Sequence, residues 1–176
     1  MSVGALDVAT LRRAFERLDA LLQSPLTLVV GGGTAMMLAY HLPVRTTDVD
    51  AYPREGSLDE ALPQIRAVAA ELGLAPDWIN PHFETFAYVL PPDYGSRLAT
   101  VFAGARLRVA ALGVEDLLVM KCTAGREKDV GHARALLKRH PDLSVVEGRL
   151  QALADKRVPG AAEALDFLDD LLENGA

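Results

Sequence analysis

Two aspartates, Asp48 and Asp50, stand either side of a single valine in the stretch "RTTDVDAY". On an extended strand, residues two apart point to the same face, so their carboxylates are neighbours. At about 4 Å two such charges repel by roughly 4 kcal/mol at an effective dielectric of 20. A divalent cation relieves that repulsion, since Mg²⁺ is typically held by one or two carboxylates together with substrate phosphates and water. A solvated edge strand relieves it too, by screening. Just upstream, the apolar run Leu26 to Val30 ends in Gly31, Gly32 and Gly33, followed by Thr34 and a short apolar segment to Tyr40. Glycines let backbone N–H groups approach an anion closely, and a helix that starts there adds its positive end. Strand, glycine turn and helix start together form a phosphate cradle, although the same turn also precedes packed helices that bind nothing. The sequence "GGGTAM" fits neither the P-loop, which needs a Lys and a Ser or Thr after its glycines, nor the dinucleotide pattern G-x-G-x-x-G.

Further along, Val114, Leu117 and Leu118 define an apolar helical face, and Lys121 falls on it. A lysine there extends to water, pairs with an acid or meets an anion. Asp129, in "GREKD", precedes an apolar helical pattern and reads as a helix N-cap, with a role in steering Lys121 as the alternative. Arg45 reads as a partner for an aspartate or a phosphate contact, and Trp78 as a partly buried anchor.

The elements that must position these residues follow from periodicity. Asp7 caps a helix whose stripe is Val8, Leu11, Phe15, Leu18 and Leu22, and Ser24-Pro25 ends it. Strands are expected at 26–30 and 46–52. Ser57 and Glu60 have capping-box spacing before a helical stripe that runs to Gly73, and Pro63 requires that helix to start late or to kink. The aromatic and β-branched composition of Phe83 to Leu90 predicts a strand, as it does for 98–102 and 106–111. Helices are expected at 114–124, 129–139, 143–154 and 161–172. The class is α+β, a mixed sheet flanked by helices with a helical C-terminal part. One domain is expected over 1–176, with an α/β core to about 112 and helices from about 113.

Half of the 176 residues are hydrophobic and 24% are charged, the composition of a globular chain. No apolar run reaches the eighteen or so residues of a membrane span, and the N-terminus lacks the pattern of a secretory leader. Cys122 is the only cysteine, which leaves no disulfide framework and suits a reducing cytoplasm. The four histidines lack zinc-type spacing. A net charge of −6 without a long basic stripe gives general affinity for a nucleic-acid backbone little electrostatic support and restricts such contact to a local patch such as "GREKDVGHARALLKRH", most of whose charges read as a solvated helix face.

Taken together, "VVGGGTAMML", "RTTDVD" and "KCTAGREKDVGHARALL" resemble the nucleotidyltransferase fold of the polymerase-beta-like superfamily, and within it the small bacterial proteins related to AbiEii-type toxins. The resemblance spans roughly 28–137. It implies that Gly31, Gly32, Gly33 and Thr34 hold a nucleoside triphosphate, with Lys121 and Asp129 contributing to nucleotide binding. It implies that Asp48 and Asp50 hold Mg²⁺ or Mn²⁺, and that Asp48, Asp50 and Lys121 are catalytic. The implied reaction moves a nucleoside monophosphate onto a hydroxyl of an RNA, such as a tRNA 3′ end, or of a protein, and an antitoxin protein is an implied partner. The alternative is a catalytically degenerate member that binds a nucleotide or a protein as an antitoxin or regulator; a resistance-type enzyme acting on a small molecule shares the chemistry. Departures from the pattern are His132, where a second acid is usual, and the third carboxylate, for which Glu84 on the expected 83–90 strand and Asp93 are the candidates.

Overall fold

The computed structural model describes residues 6–174. Its elements in chain order are α1 (Val8–Leu21), β1 (Leu26–Val30), α2 (Gly32–Tyr40), β2 (Val49–Glu55), α3 (Leu58–Leu72), β3 (Ile79–Asn80), a 3-10 helix (His82–Val89), a second 3-10 helix (Tyr94–Arg97), β4 (Ala99–Ala103), β5 (Leu107–Ala111), α4 (Val114–Ala124), α5 (Glu127–Leu137), α6 (Leu143–Asp155) and α7 (Ala161–Glu173). The class is α+β, and the chain forms two compact units. The first comprises residues 1–85 and 98–112, the second 86–97 and 113–176.

The first unit holds a five-stranded sheet in the order β3-β2-β1-β5-β4. β1 is central, antiparallel to β2 and parallel to β5, while β2 and β3 are parallel and β4 and β5 antiparallel. Its position explains the unbroken apolar run of β1, since Leu28, Val29 and Val30 are all fully buried. α1 starts where the Asp7 carboxylate accepts the Thr10 N–H at 2.7 Å and buries the stripe Leu11, Phe15 and Leu18. α3 starts at Ser57, as its capping spacing predicts, and ends on Gly73 in the left-handed region. Pro63 sits inside α3 without delaying its start. The bond that it cannot make would reach the solvent-facing Asp59, near the helix end, where water is a ready substitute.

Trp78 is fully buried rather than partly so, packed 6.0 Å from Phe15 between ring centres, with its indole N–H donated to the Ile65 carbonyl at 3.1 Å. An expected strand is also overturned. Phe83 to Leu90 is not a strand but the 3-10 helix His82–Val89. Pro81 begins it, its carbonyl accepting the Glu84 N–H, and Phe83 buries its ring edge-on to Tyr52 instead of entering a ladder.

The second unit is helical. α4 packs against α5, α6 and α7 around Leu117, Leu118, Leu136, Leu150 and Leu168. The Arg97 guanidinium grips the buried Asp116 carboxylate with two parallel bonds of 3.0 and 2.8 Å. Arg149 ties down the carbonyls of Tyr88, Val89 and Leu90. Among the described residues no helix is long and apolar enough to cross a membrane.

Candidate active site

The glycine turn lies at the end of central β1. Gly31 caps α2, which begins at Gly32, and the Gly31 N–H is donated to the Asp50 carbonyl at 3.1 Å. That bond commits Gly31 to the sheet, so the donors available to an anion are the N–H groups of Gly32, Gly33 and Thr34, which the first helical turn leaves without an intrahelical acceptor. Gly32 has φ +55°, and a Cβ there would lie 2.8 Å from Asp50 Oδ2. The positive φ favours glycine, and a side chain there would also have to displace the Asp50 carboxylate. A Cβ on Gly33 would meet the Thr46 Cβ at 3.1 Å. Thr34 is buried, and its hydroxyl points inward to the Asp48 carbonyl at 3.0 Å, so this hydroxyl serves the fold.

Asp48 and Asp50 are brought beside this turn. β2 begins at Val49 rather than Thr46, because the Asp48 carbonyl is taken by the hydroxyls of Thr46 (2.8 Å) and Thr34, and Asp48 occupies the bend before the strand. The two carboxylates nonetheless converge. One oxygen of each, together with a ring nitrogen of His82, lie within 4.8 Å of one another. Short β3, which the sequence does not announce, aligns Asp50 with Asn80. The buried Asn80 amide donates to Asp48 Oδ2 at 3.0 Å, and its oxygen accepts the His82 N–H at 3.0 Å. Asn80 and His82 escaped the sequence reading because parallel pairing with β2, not chain proximity, places them here. "NPH" carries only the weak signal of a histidine next to a turn-forming proline.

The donor set of two carboxylates and an imidazole suits a divalent cation, and it lies beside the start of α2, where Gly32 approaches Asp50 closely. Of the other expected contributors, Arg45 is exposed, and no ion pair of it is found among the described residues. Glu84 is exposed on the 3-10 helix, not on a strand, and Asp93 is engaged with Arg97 at 2.8 Å.

Lys121 and Asp129 belong to the second unit and form an ion pair of 2.7 Å. Asp129 is fully buried and stands at the third position of α5 rather than at its cap; its carboxylate accepts the backbone N–H and the guanidinium of Arg126. Burial pushes the Asp129 carboxyl up, but the hydrogen bonds from Arg126 and Lys121 outweigh burial and hold it below the usual carboxylate range. Burial and the nearby Lys121 charge lower the His132 pKa, and its Nδ1 is buried without a partner among the described residues. Burial, reinforced by the Asp129 charge, pushes the Cys122 thiol up to about 12.

A mixed sheet that sets a glycine turn at a helix start beside an Asp-x-Asp pair is a nucleotidyltransferase-like arrangement. The family described as nucleotidyltransferase of unknown function (DUF6036) matches residues 9–157, and the chain belongs to that family. Neither a curated protein nor a solved structure matches the chain.

Proposed function

We propose that this chain is an active, divalent-metal-dependent nucleotidyltransferase that moves a nucleoside monophosphate from a nucleoside triphosphate onto a hydroxyl of an RNA, such as a tRNA 3′ end, or of a protein. The observation that carries the reading is the convergence of Asp48 and Asp50 at the glycine turn, where the Gly32 backbone, at φ +55°, approaches the Asp50 carboxylate closely. A divalent cation between two adjacent carboxylates relieves their repulsion, and a helix start beside them suits the phosphates that such a cation accompanies.

In this reading, the N–H groups of Gly32, Gly33 and Thr34 bind triphosphate oxygens and orient the chain of phosphates. Asp48 and Asp50 hold the cation, Mg²⁺ or Mn²⁺, which when bound neutralises charge on the phosphates as they react. The acceptor oxygen bonds to the α-phosphorus, the bond from that phosphorus to the bridging oxygen breaks, and pyrophosphate leaves. The acceptor proton passes to solvent or to a nearby base. Lys121 gives one of its three N–H donors to Asp129. The AbiEii-type toxin role, with an antitoxin as partner, is the biological form of this activity that the resemblance favours.

The test is incubation with each α-labelled nucleoside triphosphate, Mg²⁺ or Mn²⁺, total tRNA and a protein extract, beside the Asp48→Ala, Asp50→Ala double variant. Label on a macromolecule with the wild type alone supports the reading, and the labelled band names the acceptor. No transfer, and no cation-dependent nucleotide binding by calorimetry, would leave a degenerate binding module.

A further inference from the structure

The third protein donor of the cation site is the least expected feature of the structure. Where the resemblance calls for another carboxylate, Glu84 and Asp93 are otherwise placed, and a ring nitrogen of His82 approaches Asp48 and Asp50 instead. We propose that His82 is the third ligand of this site and makes it select first-row transition ions over Mg²⁺, with Asn80 as the residue that positions His82. The inference rests on the cation reading of Asp48 and Asp50 given above.

Three observations support it. The ligand atoms of Asp48, Asp50 and His82 lie within 4.8 Å of one another. Donors about 2.0–2.2 Å from a shared ion lie roughly 3–4 Å apart, so side-chain rotation alone closes the set. Asn80, which is only 6% exposed, spends both ends of its amide inside the cluster, one on the Asp48 carboxylate and the other on the His82 backbone. A buried amide satisfied in this way fixes two ligands relative to each other, which is the work of outer-shell partners at metal sites. Phe83, next in the chain, is buried beside Gly31 at 3.4 Å from where a Cβ would stand, so the His82 backbone is pinned to the glycine turn from its other side.

The chemistry follows from the donors. Mg²⁺ is a hard ion that prefers oxygen and gives up water reluctantly. An imidazole nitrogen raises affinity along the series from Mn²⁺ through Fe²⁺ and Co²⁺, while Mg²⁺ gains little from it. Three protein ligands also leave coordination positions open for phosphate oxygens and water.

Mn²⁺ is the probe. Metal-free wild type, His82→Ala, Asn80→Ala and the Asp48→Asn, Asp50→Asn double variant are titrated with Mn²⁺ and Mg²⁺, and bound Mn²⁺ is examined by electron spin-echo modulation for a directly bonded ¹⁴N nucleus. His82 is exposed, so its truncation leaves the fold intact, which circular dichroism checks. The proposal expects ¹⁴N modulation in the wild type and its loss in His82→Ala. It expects Mn²⁺ affinity to fall at least about tenfold in His82→Ala while Mg²⁺ affinity changes less than about twofold. Asn80→Ala is expected to weaken Mn²⁺ binding and to keep the ¹⁴N signal. Carboxylate-dependent Mn²⁺ binding without ¹⁴N modulation, or with modulation that survives His82→Ala, overturns the role of His82 and leaves the cation reading standing. No binding of either ion by the wild type overturns both.

Discussion

At the scale of single residues, the proposed function makes Asp48 and Asp50 a case of function set against stability. Neutralising either one removes a like-charge repulsion, so Asp48→Asn and Asp50→Asn are expected to lower transfer at least about 100-fold while the urea midpoint stays level or rises. A fall in midpoint that matches the fall in activity would mark the pair as structural. Gly32→Ala is the complementary case. Its φ of +55° and the 2.8 Å approach to Asp50 Oδ2 predict a loss of about 1–3 kcal/mol together with loss of nucleotide binding. Gly33→Ala, whose Cβ meets only the Thr46 side chain and a carbonyl at 3.1 Å or more, is expected to cost less. Equal costs would remove the special status given to Gly32. The glycines and the aspartates were legible in the sequence because their signal is local: residue type and a spacing of one or two. Asn80 and His82 were not, since they reach the same point through strand pairing that no spacing encodes.

Among the elements, α4 and α5 carry the clearest consequences. Buried Asp129 pairs with buried Lys121 and with the exposed Arg126, and Asp129→Ala leaves the Lys121 ammonium buried without its partner, a change expected to cost about 3–5 kcal/mol by denaturant titration. Because the folded Asp129 pKa is lowered, its stabilisation is present above the unfolded value near 4 and is lost as pH falls through the folded value. The lowered His132 pKa has the same sign in another window: the folded protein binds fewer protons, so stability declines as pH drops below about 6.5. His132→Asn should flatten that decline, and an unchanged pH profile between about 7 and 5 would show that His132 does not cause it. Cys122, with its thiol pushed up to about 12 and buried on α4, is expected to resist thiol reagents at neutral pH until the protein unfolds. Rapid labelling of the native protein would contradict this. Helices are the most legible elements: α4 is read with its observed bounds and α1, α2, α5, α6 and α7 to within about two residues, because the 3.6-residue stripe and capping residues are written in the chain itself, whereas Pro63 leaves the start of α3 open. The 3-10 helix was misread as a strand because its aromatic and β-branched composition is that of a strand. What decides it is the place taken by the Phe83 ring beside Tyr52 and Gly31, a tertiary fact.

For the whole molecule, the net charge of −6 bears on partners more than on fold. On the proposed reading, an acidic protein that handles an anionic triphosphate needs local neutralisation, for which the helix start and a cation at Asp48 and Asp50 are the proposed source. Trp78, the sole tryptophan and fully buried in the first unit, reports on that unit without interference. A nucleoside triphosphate and cation together at about 100 times their dissociation constants are expected to stabilise the Trp78 transition by about 2.7 kcal/mol, and neither alone should match this. The central claim, nucleotidyl transfer, is tested most directly by comparing one nucleoside triphosphate labelled in its α-phosphate with the same nucleotide labelled in its γ-phosphate, in the presence of the acceptor extract. The account predicts that α-label enters a macromolecule, that γ-label appears in pyrophosphate, and that both events vanish in the Asp48→Ala, Asp50→Ala variant. Transfer of γ-label to the acceptor, or transfer of α-label that survives loss of both aspartates, would contradict it.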